Sequence, residues 1–334
     1  MKHFLSISDL SREDALYLLV EAARLKDERR EQASRQRETL AGRTLAMLFE
    51  KPSLRTRVSF DAGMNHLGGH AIYLSPQEVG LGERESVPDV ARVLSRMCDG
   101  IVARVNRHQT LEELAAHSQV PVINGLSDRE HPCQALADLL TLRERVGLEN
   151  RKIAYIGDGN NVCHSLMLLC ARLGVQFSCA SPEGYEPQPD FVATARREAA
   201  AVGDIQIMRD AREAVQNADA VYTDVWTSMG QEEESDKRRQ AFAAYQVNAA
   251  LMKQAKPDAL VLHDLPAHRG EEITDEVMES SQSAVFDQAE NRLHAQKAVL
   301  VWLLEQKHEI DSAANPDVSP LSSARLRSVP MPQD

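Results

Sequence analysis

The stretch Glu50-Lys51-Pro52-Ser53-Leu54-Arg55-Thr56-Arg57 spaces hydroxyls and guanidiniums as a trap for a phosphate dianion would. The apolar run Leu45 to Phe49 ahead of it predicts a buried strand, with Ser53 at a helix N-cap and Arg55, Thr56 and Arg57 in the first turn. A helix start presents unpaired N–H groups and the positive end of the dipole to an anion. Hydroxyls add neutral donors, and Arg adds a charged fork matched to phosphate oxygens. Taken alone, the same pattern also describes an ordinary helix start with solvated arginines.

Further chemistry-bearing residues follow other apolar runs. Arg104 interrupts Ile-Val-Ala-Arg-Val, where a lone Arg would ordinarily sit on an exposed face. His131-Pro132-Cys133-Gln134 opens a long helical segment just after Asn124-Gly125-Leu126-Ser127-Asp128. Gly157-Asp158-Gly159-Asn160-Asn161 follows a strand, but a dinucleotide fingerprint would need a third Gly and a later acidic residue. Asp224 with Ser228-Met229-Gly230 is suited to an ammonium, or is a plain acidic loop leading into Glu232 to Glu234. His263-Asp264-Leu265-Pro266 closes the last strand; a metal there would lack a third ligand at recognisable spacing.

These residues need a scaffold that gathers them, and the alternation of strand-like and helix-like segments predicts one. Strands are expected near 44–49, 70–74, 100–105, 120–124, 152–157, 175–181, 204–208, 218–224 and 259–264, with helices near 55–67, 87–98, 109–117 and 131–146. The predicted class is α/β, as two doubly wound parallel-sheet domains with the active site in the cleft between them. Open sheets of this kind bind ligands beyond the carboxyl ends of their strands, where every residue named above falls. The break at Gly147 to Arg151 divides residues 1–147 from 148–289. A helix within 290–308, apolar through Leu293, Val299, Leu300, Trp302 and Leu303, is expected to pack back on the first domain. Residues 309–334, rich in Ser, Pro and Asp, are expected to be a disordered tail.

A chain of 334 residues exceeds one ordinary core. Its formal net charge of −12 argues against nucleic-acid binding, so an anion site would be a local positive pocket. Five scattered cysteines predict reduced thiols and a cytoplasmic protein, and no run reaches membrane-spanning length.

In their order along the chain, Ser53-Leu54-Arg55-Thr56-Arg57, Arg104, His131-Pro132-Cys133-Gln134, Gly157 to Asn161, Asp224 with Ser228-Met229-Gly230, His263-x-Leu265-Pro266 and Glu290-Asn291-Arg292 resemble the aspartate/ornithine carbamoyltransferases, on the ornithine side. The resemblance implies transfer of a carbamoyl group from carbamoyl phosphate to the δ-amine of L-ornithine, in arginine metabolism, with no cofactor or metal. It implies a carbamoyl-phosphate site of Ser53, Leu54, Arg55, Thr56, Arg104, His131, Gln134 and Arg292. It implies an ornithine site of Asn161, Asp224, Ser228, Met229, Asp264 and Leu265, with Arg55, Arg104, His131 and Asp264 doing the chemistry. It further implies a homotrimer, or an assembly of trimers, with sites near subunit boundaries.

Three positions depart from the family pattern. Leu54 stands where Thr is frequent, and Gly80 where a Gln or His reaches the neighbouring site. Asp264 replaces the Cys of the usual His-Cys-Leu-Pro. A carboxylate there favours the ammonium form of an amine, acts as a general base, or is itself protonated by burial, and it leaves open a carbamoyltransferase for another amine or a non-catalytic ligand-binding paralogue.

Overall fold

The segment Thr44–Phe49 (β1) carries almost nothing but apolar side chains and is buried along nearly its whole length, as a strand covered on both faces must be. In a computed structural model that describes residues 2–30, 38–199, 204–228 and 232–305, β1 pairs with His70–Leu74 (β2) and Gly100–Arg104 (β3), and β3 with Val122–Leu126 (β4). A second sheet contains Lys152–Ile156 (β5), Gln176–Ala180 (β6), Ile205–Met208 (β7), Ala220–Thr223 (β8) and Leu260–His263 (β9). The strand orders are β2-β1-β3-β4 and β7-β6-β5-β8-β9, and every pairing is parallel.

Each sheet therefore has one place where successive crossovers diverge, between β1 and β3 and between β5 and β8. Such a divergence opens a crevice beyond the carboxyl ends of the strands. The strands follow the predicted segments to within a residue or two. The 87–98 helix is shorter than expected, ending at Leu94.

Local chemistry explains how the chain leaves these strand ends. Ser53 caps the Leu54–His66 helix, its hydroxyl accepting from Thr56 N–H. Asn160 caps the Asn161–Leu173 helix, its Oδ1 accepting from Val162 and Cys163 N–H at 3.0 and 3.2 Å. Pro132 takes the first turn of the Pro132–Arg145 helix, where its missing N–H costs nothing. At Gly159 a Cβ would lie 2.1 Å from Pro187 N, so only glycine passes there. Gly80, at φ 57°, ends the short Pro76–Val79 helix in the left-handed region, and a Cβ there would meet Arg84 Cβ at 2.7 Å. This turn explains the glycine where the family carries a longer side chain.

The last helix runs Val285–Leu304 and starts earlier than the apolar pattern indicates, because Ala284 supplies no side-chain cap to mark its beginning. It packs against the Leu54–His66 and Pro132–Arg145 helices, and against an Arg12–Arg30 helix absent from the elements predicted above. The segment proposed as a tail lies outside the described residues.

Candidate active site

Arg55, Arg104 and Arg292 reach one another from three elements distant in sequence. Arg104 ends β3, where the register against β4 shifts between Ala103 and Arg104 to admit an extra residue. Against expectation for a lone strand Arg, it is buried. Burial first, then the charges of Arg292 and Arg55, bring its guanidinium down to about 10 despite Asp264. Arg292 is also buried and donates to Thr56 Oγ1 at 2.8 Å, tying the last helix to the first-turn Thr. Its pKa is lowered by burial and by Arg55. Arg55 donates to the backbone oxygen of Leu265, across from the second sheet.

The Nε atoms of all three arginines, Nδ1 of His131 and Oε1 of Gln134 are buried without a hydrogen-bond partner among the described residues. Buried polar groups are nearly always satisfied in a folded protein. Converging guanidiniums are paired donors only when an anion lies among them. His131 is held neutral: burial, then Arg292 and Arg104, push its pKa well below the usual imidazole range. It can therefore donate one hydrogen bond without bringing a charge. Gln134 donates to Asp138 Oδ1 at 2.8 Å, which turns its Oε1 into a free acceptor. The side chain of Leu54 is 74% exposed, so only its backbone N–H, at the helix start, faces an anion. Its departure from the usual Thr is accordingly mild.

The acceptor side is carboxylate-rich. Asp224 follows β8 and Asp264 follows β9, and the two carboxyls bring oxygens within 4.8 Å of each other. Burial, then the charge of Asp264, raises Asp224 well above the usual carboxylate range; the pair thus holds one proton where two separate acids would hold none. Burial opposes ionisation of Asp264, but with the shared proton on Asp224 it is the ionised member of the pair. Asn160 Nδ2 donates to Asp224 Oδ2 at 2.7 Å and Val225 N–H to its Oδ1 at 2.7 Å.

His263 lies between Asp264 (3.5 Å) and Glu272 (3.1 Å). Burial lowers its pKa, but the two acids outweigh burial and favour the imidazolium, pushing it up to about 9. Against this, Leu265 N–H donates to Nδ1 at 2.9 Å, and a second proton on that atom would face another donor. The directional bond decides, and in this arrangement the ring carries its hydrogen on Nε2, toward Glu272. Asp224, His263 and Asp264 place ligand atoms within 4.8 Å of one another. Bonds from Asn160 and Val225 engage the Asp224 oxygens and the bond from Leu265 engages His263 Nδ1.

Asn161 stands in the first turn of its helix and donates to Ser127 O at 2.7 Å, joining the two halves of the site. Leu265 has φ 62°, a strained conformation for a branched residue, and turns its carbonyl to Arg55. Ser228 closes the loop after β8, and Met229 lies outside the described residues. Arg238 braces the start of this loop by donating to Asp158 Oδ2 at 2.7 Å and to Trp226 O at 2.9 Å. Asp158, one of the motif residues, is thereby a support.

Asp138, Gln288 and Arg238 went unnoticed in the sequence, where Asn160 figures only as part of its post-strand motif, with no role of its own. Only Asn160 carries a readable signal, an Asn at an N-cap just beyond a strand.

Two crevices at strand divergences, one cationic and one anionic, facing each other across a domain junction, define a two-substrate α/β enzyme that joins an anion to an amine. Residues 2–144 match the family described as "Aspartate/ornithine carbamoyltransferase, carbamoyl-P binding domain", and residues 149–303 its "Asp/Orn binding domain". The chain belongs to the aspartate/ornithine carbamoyltransferase family. It is 56% identical over 304 residues to an ornithine carbamoyltransferase of Methanospirillum hungatei, covering 91% of this chain and 99% of that one. It is 51% identical over 311 residues to that of Archaeoglobus fulgidus, covering 93% and 100%. The solved structure of ornithine carbamoyltransferase from Pyrococcus furiosus superposes with a TM-score of 0.88 at 50% identity, covering 91% of this chain and 97% of that chain. The anabolic ornithine carbamoyltransferase from Campylobacter jejuni gives a TM-score of 0.87 at 40% identity, covering 92% and 100%.

Proposed function

We propose that the protein transfers the carbamoyl group of carbamoyl phosphate to the δ-amine of L-ornithine, giving L-citrulline and phosphate in arginine metabolism. The observation that carries this reading is the convergence of Arg55, Arg104 and Arg292, each with a buried Nε that has no hydrogen-bond partner among the described residues. The phosphate is held by Ser53, the Leu54 N–H, Arg55, Thr56 and Arg292. The carbamoyl oxygen takes hydrogen bonds from Arg104 and neutral His131, and the carbamoyl NH2 donates to Gln134 Oε1.

The carbonyl oxygen gains negative charge as the amine adds, and these donors are positioned before the reaction begins. Asp224 takes the ornithine α-ammonium, whose charge replaces the proton the carboxyl pair otherwise holds. Asn161, Ser228, Met229 and the Leu265 backbone complete the acceptor site, and Asp264 sits at the δ-nitrogen. Closing the two halves, through contacts such as Asn161 to Ser127 and Arg55 to Leu265, aligns the reactants and excludes water.

The domain division at about residue 147, the cytoplasmic location and the homotrimer belong to the same proposal. Support for the last comes from Leu54 and Val58 on the Leu54–His66 helix and Ile72 on β2, which are 74%, 54% and 40% exposed. Support for a reducing compartment comes from five buried, unpaired cysteines. Among the described residues no helix is long and apolar enough to cross a membrane.

The decisive assay supplies purified protein with carbamoyl phosphate and ornithine between pH 7 and 10 and measures citrulline. Citrulline formation is expected, and its absence across this range would sink the proposal.

A further inference from the structure

The acceptor half holds one more carboxylate than is needed to fix an amino acid by its α-ammonium. Thr223 and His263 are register partners on adjacent strands, so Asp224 and Asp264, one residue further on, leave the same sheet edge side by side. Asp264 is the member of this pair that also meets the donor half: it interacts electrostatically with Arg55, Arg104, Arg292 and His131. Its Oδ1 is buried and accepts no hydrogen bond among the described residues. His263, beside it, turns Nδ1 to Leu265 N–H and its other nitrogen to Glu272.

We propose that Asp264 is a specificity residue that captures the ornithine side chain as its δ-ammonium, so that the acceptor waits in the site in an unreactive charge state. This inference rests on the transferase reading above and concerns only the form in which the acceptor is bound. An alkylammonium has no lone pair, and a neighbouring carboxylate stabilises it against deprotonation. The three arginines oppose that effect, but in the donor complex they face the phosphate charges, which leaves Asp264 and Asp224 to set the local field.

Reaction then requires the δ-ammonium to give one N–H proton to a solvent base. The freed lone pair forms the N–C bond, and the C–O bond to phosphate breaks with its electron pair leaving on phosphate. The second nitrogen proton passes to the departing phosphate. Binding is strengthened by Asp264 in the ground state alone, so it lowers KM and kcat together. One pKa unit on the amine corresponds to about tenfold in the reactive fraction at fixed pH.

Steady-state kcat and ornithine KM, measured between pH 7 and 10 at saturating carbamoyl phosphate, test this in the wild-type protein, Asp264→Asn and Asp264→Cys. Both variants are expected to reach half-maximal kcat at a pH at least about one unit lower than wild type. At pH 7 both kcat and KM should rise about tenfold. A fall in kcat with no shift of the alkaline limb would overturn the proposal and make Asp264 a proton acceptor or a bystander. Citrulline production with parallel limbs removes only this inference, whereas no citrulline from wild type at any pH removes the transferase reading. Should the variants fail to fold, wild type itself decides. With inorganic phosphate in the donor site, the 13C shift of the δ-carbon of bound, labelled ornithine is expected to report an ammonium at pH 8, and a neutral amine there would refute the idea.

Discussion

At the scale of single residues, charge state separates the donors. Arg104 and Arg292 are buried cations held close together, a costly arrangement that an anion relieves. Arg104→Gln is expected to lower kcat about 10²- to 10³-fold, the range for losing one donor to a developing oxyanion, with a smaller change in ornithine KM. Arg55→Gln should also raise the carbamoyl-phosphate KM, because the proposed function sets Arg55 against the phosphate. His131 contributes differently. Burial and two neighbouring guanidiniums keep it neutral through the working range, so no acid limb near pH 6 to 7 should come from it. His131→Gln, which keeps a neutral donor, should lower kcat while leaving the shape of the pH–rate curve intact. A changed acidic limb in that variant would show that His131 titrates during turnover.

At the scale of elements, Asp138 joins three of them. It lies on the Pro132–Arg145 helix and accepts from Gln134 at 2.8 Å and from Gln288 of the last helix at 2.7 Å. Gln288 in turn accepts from His263 N–H at 2.8 Å at the end of β9. Burial raises the Asp138 carboxyl to about 7, outweighing the two amide donors that favour its charge. The folded-state pKa lies above the unfolded one, so the protonated acid contributes stability that is complete at low pH and is lost as pH rises through about 7. Asp138→Asn keeps an acceptor oxygen and removes the charge. Its melting temperature should fall less than that of wild type as pH rises from 5 to about 7, and the gap opened there should stay constant from about pH 8 to 9. Equal pH dependence in the two proteins would contradict this account.

For the whole molecule, the arrangement of apolar surface points outward from the donor half. Leu54 and Val58 lie one turn apart on the Leu54–His66 helix, and Ile72 lies on the edge strand β2. An exposed sheet edge beside apolar side chains is a liability unless it is covered. If the proposed homotrimer forms through this face, Leu54→Glu with Val58→Glu is expected to give the sedimentation coefficient of a monomer, with the melting temperature reduced at equal protein concentration. An unchanged sedimentation coefficient would place the subunit contact elsewhere.

The sequence by itself was enough for the nine strands, because continuous apolar runs bounded by turn residues mark buried parallel strands whatever surrounds them. It was also enough for Ser53, Asn161 and Asp224 as candidates, since ligand-binding residues of open sheets follow strand ends. It was not enough for the burial of Arg104, which reads alone as an exposed strand Arg and which the fold sets beside Arg292, nearly two hundred residues further along. Nor did it determine the Arg12–Arg30 helix, or the beginning of the Val285–Leu304 helix, where no side-chain cap marks the start. Above all, tertiary structure decided the charge states. Asp264 reads in the sequence as a base, an ammonium ligand or a neutral acid, and pKa values depend on burial and on charges brought near by folding. Only the pairing of β8 with β9 sets Asp264 against Asp224, and only the junction of the two halves sets that pair against the arginines of the phosphate site.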